Sequence, residues 1–129
     1  MDEFDESYDW VIAGSGAGSF VSALVMRKAG KSVLILEKTA HVLGKVRISG
    51  GGRCNVTHAC FAVQDLIRYY PRGARELHGA FHRFQPADTI QWFEQRGVPL
   101  KTEADGRIFP VSDQSSSAIE CLTSEASKL

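Results

Sequence analysis

Two glycine clusters and one carboxylate are the residues in this chain whose types and spacing suit chemistry. The first cluster is Gly14-Ser15-Gly16-Ala17-Gly18-Ser19, the carboxylate is Glu37, and the second cluster is Ser49-Gly50-Gly51-Gly52-Arg53-Cys54-Asn55. In the first cluster Gly14 is expected to allow a sharp turn where a Cβ would clash. Gly16 leaves the backbone bare, so a pyrophosphate can reach the free N–H groups and positive dipole end of a following helix. The third glycine of a G-x-G-x-x-G spacing belongs at position 19, where this chain has Ser19. Serine is small enough for close helix–strand packing, and Gly18 keeps the turn open. Glu37 is placed to accept bonds from two ribose hydroxyls, and its charge repels a 2′-phosphate, which argues against NADP here.

These groups need elements to hold them. Tyr8 to Ala13 reads as a short buried strand, Phe20 to Ala29 as a packed helix, and Lys31 to Leu36 as a second buried strand ending on Glu37. Strand, glycine turn, helix, strand and terminal acid in that order form a dinucleotide-binding βαβ unit. Both strands are continuous apolar runs, the pattern of a parallel sheet covered on both faces. Phe20, Val21, Leu24, Val25 and Met26 form the helix stripe that packs on the sheet. Arg27 and Lys28 suit the dipole of its last turn, and Gly30 is the expected stop.

Lys38, Thr39, His41 and Lys45 read as polar surface before a brief apolar stretch, Val46 to Ile48. Gly50-Gly51-Gly52 forms a regular element only at high entropic cost. Beside a nucleotide unit we expect Ser49 to Asn55 to be a ligand-facing loop; the alternative is a flexible surface loop. Helices are expected over Val63 to Tyr70, stopped by Pro71-Arg72-Gly73, over Ala74 to Phe84, and between Pro86 and Gly97. Trp92 and Phe93 read as core. Val98 to Glu103 and Arg107 to Val111 flank Ala104-Asp105-Gly106, a hairpin signal. Ser112 or Asp113 is expected to cap a final helix, and Ser117-Ala118-Ile119-Glu120 also has capping-box spacing. No strand-like segment follows Val111, so the parallel sheet is expected to be incomplete. A second chain or a longer protein would complete it, and we favour a fragment of a longer protein.

The chain has 129 residues, no net charge at pH 7 and 43% apolar residues, enough for one modest core. Zero net charge and no long basic run argue against nucleic acid as the main partner. The apolar runs are too short to span a bilayer. The acidic start, Met1 to Glu6, lacks the pattern of a secretory signal, which points to the cytoplasm. Three cysteines without C-x-x-C spacing (Cys54, Cys60, Cys121) read as reduced thiols. His78 and His82 have ligand spacing on a helix, but no third ligand is evident, so no metal is expected.

The residues Gly44-Lys45, Ile48 to Thr57 (I-S-G-G-G-R-C-N-V-T) and Gly106 to Asp113 (G-R-I-F-P-V-S-D) carry a resemblance. With them the chain resembles bacterial NAD(P)/FAD-dependent, aminoacetone oxidase-like oxidoreductases, a group that includes bile-acid reductases. Members are much longer, so the resemblance covers an N-terminal part. Tyr8 to Lys38 is closer to the 3-ketosteroid dehydrogenase and fumarate-reductase-like flavoproteins. Both groups imply FAD. On that basis Gly14 to Ser19 surround the pyrophosphate, and Glu37, with Lys38 beside it, holds the adenosine ribose. Lys45 and Ser49, Gly50, Gly51, Gly52, Arg53, Cys54 and Asn55 lie along the pyrophosphate, ribityl or flavin side. The implied partners are FAD and, in a longer protein, NAD(P)H and a small organic substrate. Electron transfer is the flavin's own chemistry, which the protein orients and tunes. Arg53 would stabilise an anionic reduced flavin, or hold the loop by pairing with backbone carbonyls. Cys54 reads as a structural or flavin-adjacent thiol. No acid, base or nucleophile has a spacing that marks it as catalytic. The competing reading is a non-catalytic nucleotide-binding or truncated module that needs a partner or a missing part.

Overall fold

β1 (Trp10–Ala13) and β2 (Val33–Leu36) run parallel and in register from Trp10 opposite Val33 to Ala13 opposite Leu36. The computed structural model describes residues 7–129; the acidic lead-in over residues 1–6 lies outside them. The crossover between the strands is α1 (Ala17–Lys28), which begins at Gly16. Its end is set by the backbone: Gly30 at φ +77° donates to Arg27 O (2.9 Å) and Lys31 to Met26 O (3.1 Å). That bond pair satisfies carbonyls the helix leaves open, as a left-handed glycine after the C-terminus allows.

The strands are expected to be covered on both faces. The structure covers them less: Trp10, Val11 and Leu36 are 52%, 55% and 52% exposed. α1 packs on the sheet through Phe20, Ala23 and Leu24, whereas Val21 and Val25 of the expected stripe face out.

After β2 the chain forms α2 (Gly44–Ile48), a helix where only a short apolar stretch is legible in the sequence, and then a tight turn over Ser49–Gly52. β3 (Thr57–His58), β4 (Leu100–Thr102) and β5 (Arg107–Pro110) form an antiparallel sheet in the order β3-β5-β4. The β4–β5 pair is the expected hairpin. β3 was not foreseen, since two residues leave no periodicity to read. Between β3 and β4 lie α3 (Val63–Leu66) with a 3-10 turn over Ile67–Tyr69, α4 (Ala74–Phe81) and α5 (Pro86–Glu94).

The final helix, α6 (Ser115–Ser127), starts later than a Ser112 cap would place it and earlier than a Ser117 cap would. Gln114 holds the N-cap position without a side-chain cap. Asp113 sits at φ +55° and its carboxylate is taken by Lys101 and Arg53. The Ser112 and Ser117 hydroxyls bond each other at 2.6 Å. All three candidate caps are therefore engaged elsewhere.

α6 joins the two halves. Ile119 and Leu122 pack with Phe20 and Leu43 on the βαβ side, while Ala118 and Cys121 pack with Cys54, Phe93 and Val98 on the other. Trp92 borders both groups and Phe93 is buried, as expected of core residues. The Ser115 hydroxyl donates to Arg47 O (2.8 Å), and Arg96 pairs with Glu125 at 2.9 Å while its guanidinium lies 4.0 Å from the Trp92 ring centre. Among the described residues no helix is long and apolar enough to cross a membrane.

Candidate functional site

The carboxyl end of β1 turns directly into α1. Gly14 takes φ +92° and donates to Leu36 O at 2.7 Å, which locks the end of β1 to the end of β2. A Cβ on Gly14 would meet nothing within 4 Å. The expected clash is therefore absent; glycine is required there because that φ is unfavourable to any side chain. Gly16, at φ −74° and ψ 172°, precedes the helix, and a Cβ on Gly16 or Gly18 would also project into open space. The first intrahelical bond in the chain's path is Phe20 N–H to Gly16 O at 3.2 Å. The N–H groups of Ala17, Gly18 and Ser19 are thus unclaimed by the helix and form the positive end of its dipole.

Glu37 stands opposite this turn, one residue beyond β2. Its Oε2 accepts from the Ser15 N–H (3.2 Å) and the Ser15 hydroxyl (2.5 Å). Its Oε1 accepts from the Thr39 N–H and the Thr39 hydroxyl, both at 2.8 Å. These bonds hold the Glu37 carboxyl down to about 2, the Ser15 hydroxyl contributing most and the Thr39 N–H and hydroxyl next. Hydrogen bonds to the charged form stabilise it over the acid. Ser15 is itself buried, and its carbonyl and hydroxyl both accept from the Leu43 N–H (3.0 and 3.3 Å).

Ser15, Gly16, Glu37, Thr39, His41, Gly44, Lys45 and Ile48 line a cleft of about 340 Å³. Four of the expected site residues (Ser15, Gly16, Glu37 and Lys45) therefore come together. Lys38 is exposed beside them and does not line the cleft. Thr39 and His41, polar surface in the sequence, also line it. The signal for Thr39 was its place two residues after the acid, where a hydroxyl and an N–H reach a carboxylate on the preceding turn. A second cavity of about 380 Å³, between the segment after α5 (Arg96 to Pro99), the end of β5 and α6, shares no residue with this cleft.

The second glycine cluster is built differently. Gly50 has φ +56°, and a Cβ on it would come within 2.6 Å of Asn55 N and 2.7 Å of Phe109 Cε1. Gly51 and Gly52 also have positive φ (+68° and +87°), with nothing within 4 Å of a Cβ. The turn is tied down on both sides. Cys54 donates its N–H to Ser49 O (3.0 Å), and the Ser49 hydroxyl donates to Val46 O (2.9 Å). With its amide nitrogen turned to the sheet, Asn55 donates to Thr57 O (2.8 Å) and Ile108 O (3.2 Å).

Arg53 bonds Glu103 (2.5 Å) and Asp113 (3.4 Å), with its guanidinium 3.9 Å from the Phe109 ring centre. The loop-holding role foreseen for it is played through carboxylates and a ring rather than backbone carbonyls. Cys54 is 6% exposed with φ +62°, and burial pushes its thiol up, against a smaller opposite effect of its bond with Ser49. It sits in the core with Phe93 and Cys121. All three cysteines are free. His78 and His82 pack ring against ring at 4.7 Å, and His78 Nε2 is 3.0 Å from the Gln64 amide. Among the described residues no group of three His, Cys, Asp or Glu is placed to hold a metal ion.

The HI0933-like protein Rossmann domain matches this chain over residues 8–129. The 3-dehydro-bile acid delta(4,6)-reductase of Clostridium scindens is 29% identical over 116 residues, which is 88% of this chain and 27% of that protein. The ribosomal RNA dihydrouridine synthase of Escherichia coli is 30% identical over 124 residues, 95% of this chain and 30% of the relative. A 3-oxosteroid 1-dehydrogenase of Mycolicibacterium smegmatis is 33% identical over 96 residues, 74% of this chain and 17% of the relative. The chain thus spans less than a third of these relatives. With a Rossmann βαβ unit, an open glycine turn and a domain match over nearly its whole length, the chain belongs to the HI0933-like protein family.

Proposed function

We propose that this chain is the FAD-binding N-terminal segment of a flavin-dependent oxidoreductase that exchanges a hydride or electrons with a small organic substrate. The observation that carries this reading is the convergence of three features on one cleft: the bare backbone of Gly16, the open N-terminus of α1, and the ionised Glu37. The donor set suits a dinucleotide, since the unclaimed N–H groups favour a pyrophosphate and a carboxylate at the end of β2 favours a ribose diol. In this reading Gly14, Ser15, Gly16, Ala17, Gly18 and Ser19 hold the pyrophosphate and Glu37 the ribose. Lys45, at the cleft wall, adds positive charge. Gly51 and Gly52 carry bare backbone beside open space and would lie along the ribityl or flavin side. FAD, when bound, supplies the redox chemistry, and these residues bind and orient it. The Arg53 pairings support a role in setting the loop rather than in meeting the flavin directly.

The relatives' names are those of a reductase, a dehydrogenase and a synthase, acting on a bile acid, a steroid and ribosomal RNA. They support redox chemistry and leave the substrate unassigned; NAD(P)H is a candidate electron donor. The half-exposed Trp10, Val11 and Leu36 favour a second reading, a nucleotide-binding module whose sheet is completed by another segment or chain.

The test is a titration of the purified chain with FAD, read by flavin fluorescence and the visible spectrum, beside Gly16→Val and Glu37→Ala. Saturable quenching lost in both variants is expected. No binding by a chain that circular dichroism shows to be folded would overturn the self-sufficient site and leave the completed-module reading.

A further inference from the structure

The two oxygens of Glu37 are not equivalent. An ionised carboxylate oxygen offers two lone pairs, and each Glu37 oxygen already accepts one N–H and one hydroxyl. A ribose hydroxyl can bond Glu37 only by taking the place of one of those donors. Ser15 has no freedom to yield. It is 4% exposed, its N–H and O–H both point to Oε2, and its oxygen accepts from Leu43 N–H. Turned away from Glu37, its proton would be buried without an acceptor, which is costly.

Thr39 is different. It is exposed, its hydroxyl carries a single proton, and two acceptors lie within reach: Glu37 Oε1 at 2.8 Å and His41 O at 3.0 Å. Turning the O–H from one to the other exchanges one hydrogen bond for another, and the exposed side chain must swing with it so that its oxygen clears Oε1. The cleft that opens onto Glu37 is lined by Thr39 and His41 as well.

We propose that Thr39 is a proton-switching gate on Glu37. Without nucleotide its hydroxyl stands in for a ribose hydroxyl on Oε1; with nucleotide it turns to His41 O and yields Oε1, while Ser15 keeps Oε2 fixed. This rests on the reading of Glu37 as the ribose acceptor. Thr39 is then a positioning residue that weakens ribose binding by the difference between a bond to a carboxylate and one to a neutral carbonyl. Charge-assisted bonds are the stronger kind.

The test uses the full chain with ADP and 2′,3′-dideoxy-ADP as probes, measured by calorimetry on wild type, Thr39→Val, Thr39→Ser and Gly16→Val. Valine keeps the shape and the backbone N–H but removes the competing hydroxyl. ADP is expected to bind Thr39→Val about three- to tenfold more tightly than wild type, the size of one charge-assisted bond exchanged for a neutral one. The dideoxy analogue, which has no hydroxyl to exchange, is expected to bind wild type and Thr39→Val alike. Thr39→Ser restores the wild-type value. Carbon-detected NMR titration of Glu37 in the nucleotide-free chain provides a readout independent of binding, and its midpoint rises in Thr39→Val. If ADP binds wild type and is lost in Gly16→Val, yet Thr39→Val binds it no more tightly, the gate falls and the nucleotide site stands. If wild type binds no ADP, the self-sufficient site falls and takes the gate with it, leaving the completed-module reading. Equal tightening of both probes would also sink the gate, because it would not depend on the ribose hydroxyls.

Discussion

Gly16 and Gly50 sit in similar-looking clusters but are glycines for opposite reasons. At Gly16 the space beyond Cα is empty and the backbone conformation is an ordinary extended one. Nothing among the described residues demands glycine there; under the proposed function the demand comes from a nucleotide in the cleft. At Gly50 the space is filled by Asn55 and Phe109, and the φ is left-handed. There the protein itself is the crowding partner. The nearby acids follow the same division. Glu37 is satisfied by hydroxyls and N–H groups at the cleft, whereas Glu103 holds Arg53 against the Phe109 ring. A glycine-rich string therefore marks close approach, but the approaching body can be a ligand or the protein's own core.

The largest effect should come from the body that crowds Gly50. Phe109 is fully buried beneath Arg53 and the glycine turn. Phe109→Ala is expected to cost about 3–5 kcal/mol in a denaturant melt, the range for deleting a buried aromatic ring. A loss under about 1 kcal/mol would mean that the second cluster is not anchored as described.

Substitution of the two glycines sharpens the contrast. Gly50→Ala should cost about 2–4 kcal/mol, through a forced contact and a strained φ together. Gly16→Ala should change stability by no more than about 0.5 kcal/mol. Equal losses at both sites, by chemical unfolding, would erase the distinction. Gly14→Ala falls between them: strain without collision, roughly 1–2 kcal/mol.

The Glu37 carboxyl ties stability to pH. Glu37 is lowered from 4.5 to about 2. A depressed carboxyl contributes stability above its unfolded value and loses it as pH falls through its folded value. Its contribution is therefore complete above about 4.5, declines from there toward 2, and is absent below. Urea midpoints measured across that window should fall less steeply in Glu37→Gln than in wild type. The same slope in both would show that Glu37 does not keep its bonds in solution.

The smallest effect concerns the thiols. Cys54 and Cys121 are buried and pushed toward the thiol form by burial, whereas Cys60 is only half-buried. A thiol reagent should label Cys60 first and the other two only on unfolding. Early labelling of Cys54 would indicate that the glycine turn opens in solution.

The βαβ unit was legible because each of its parts is local. Apolar runs set the strands, Gly14 and Gly30 set the turns, and Glu37 follows its strand directly in the chain. The β4–β5 hairpin was legible for the same reason, through Ala104-Asp105-Gly106 between two apolar stretches. α2 and β3 escaped because five and two residues are too few for a period to emerge. The caps of α6 were misplaced because Ser112, Asp113 and Ser117 find stronger or nearer partners, which are visible only once β4 and the Arg53 turn are folded beside them.

The sequence by itself determined that a strand, a bare glycine turn, a helix, a strand and an acid follow one another, because backbone conformation and hydrophobic pattern are local properties. Only the tertiary structure decided that Ser15 shares the acid with Thr39. Thr39 reaches Oε1 from two residues along the chain, whereas Ser15 comes to Oε2 through the parallel pairing of β1 with β2. Likewise, only the fold separated an empty space at Gly16 from an occupied one at Gly50, because occupancy depends on residues distant in sequence.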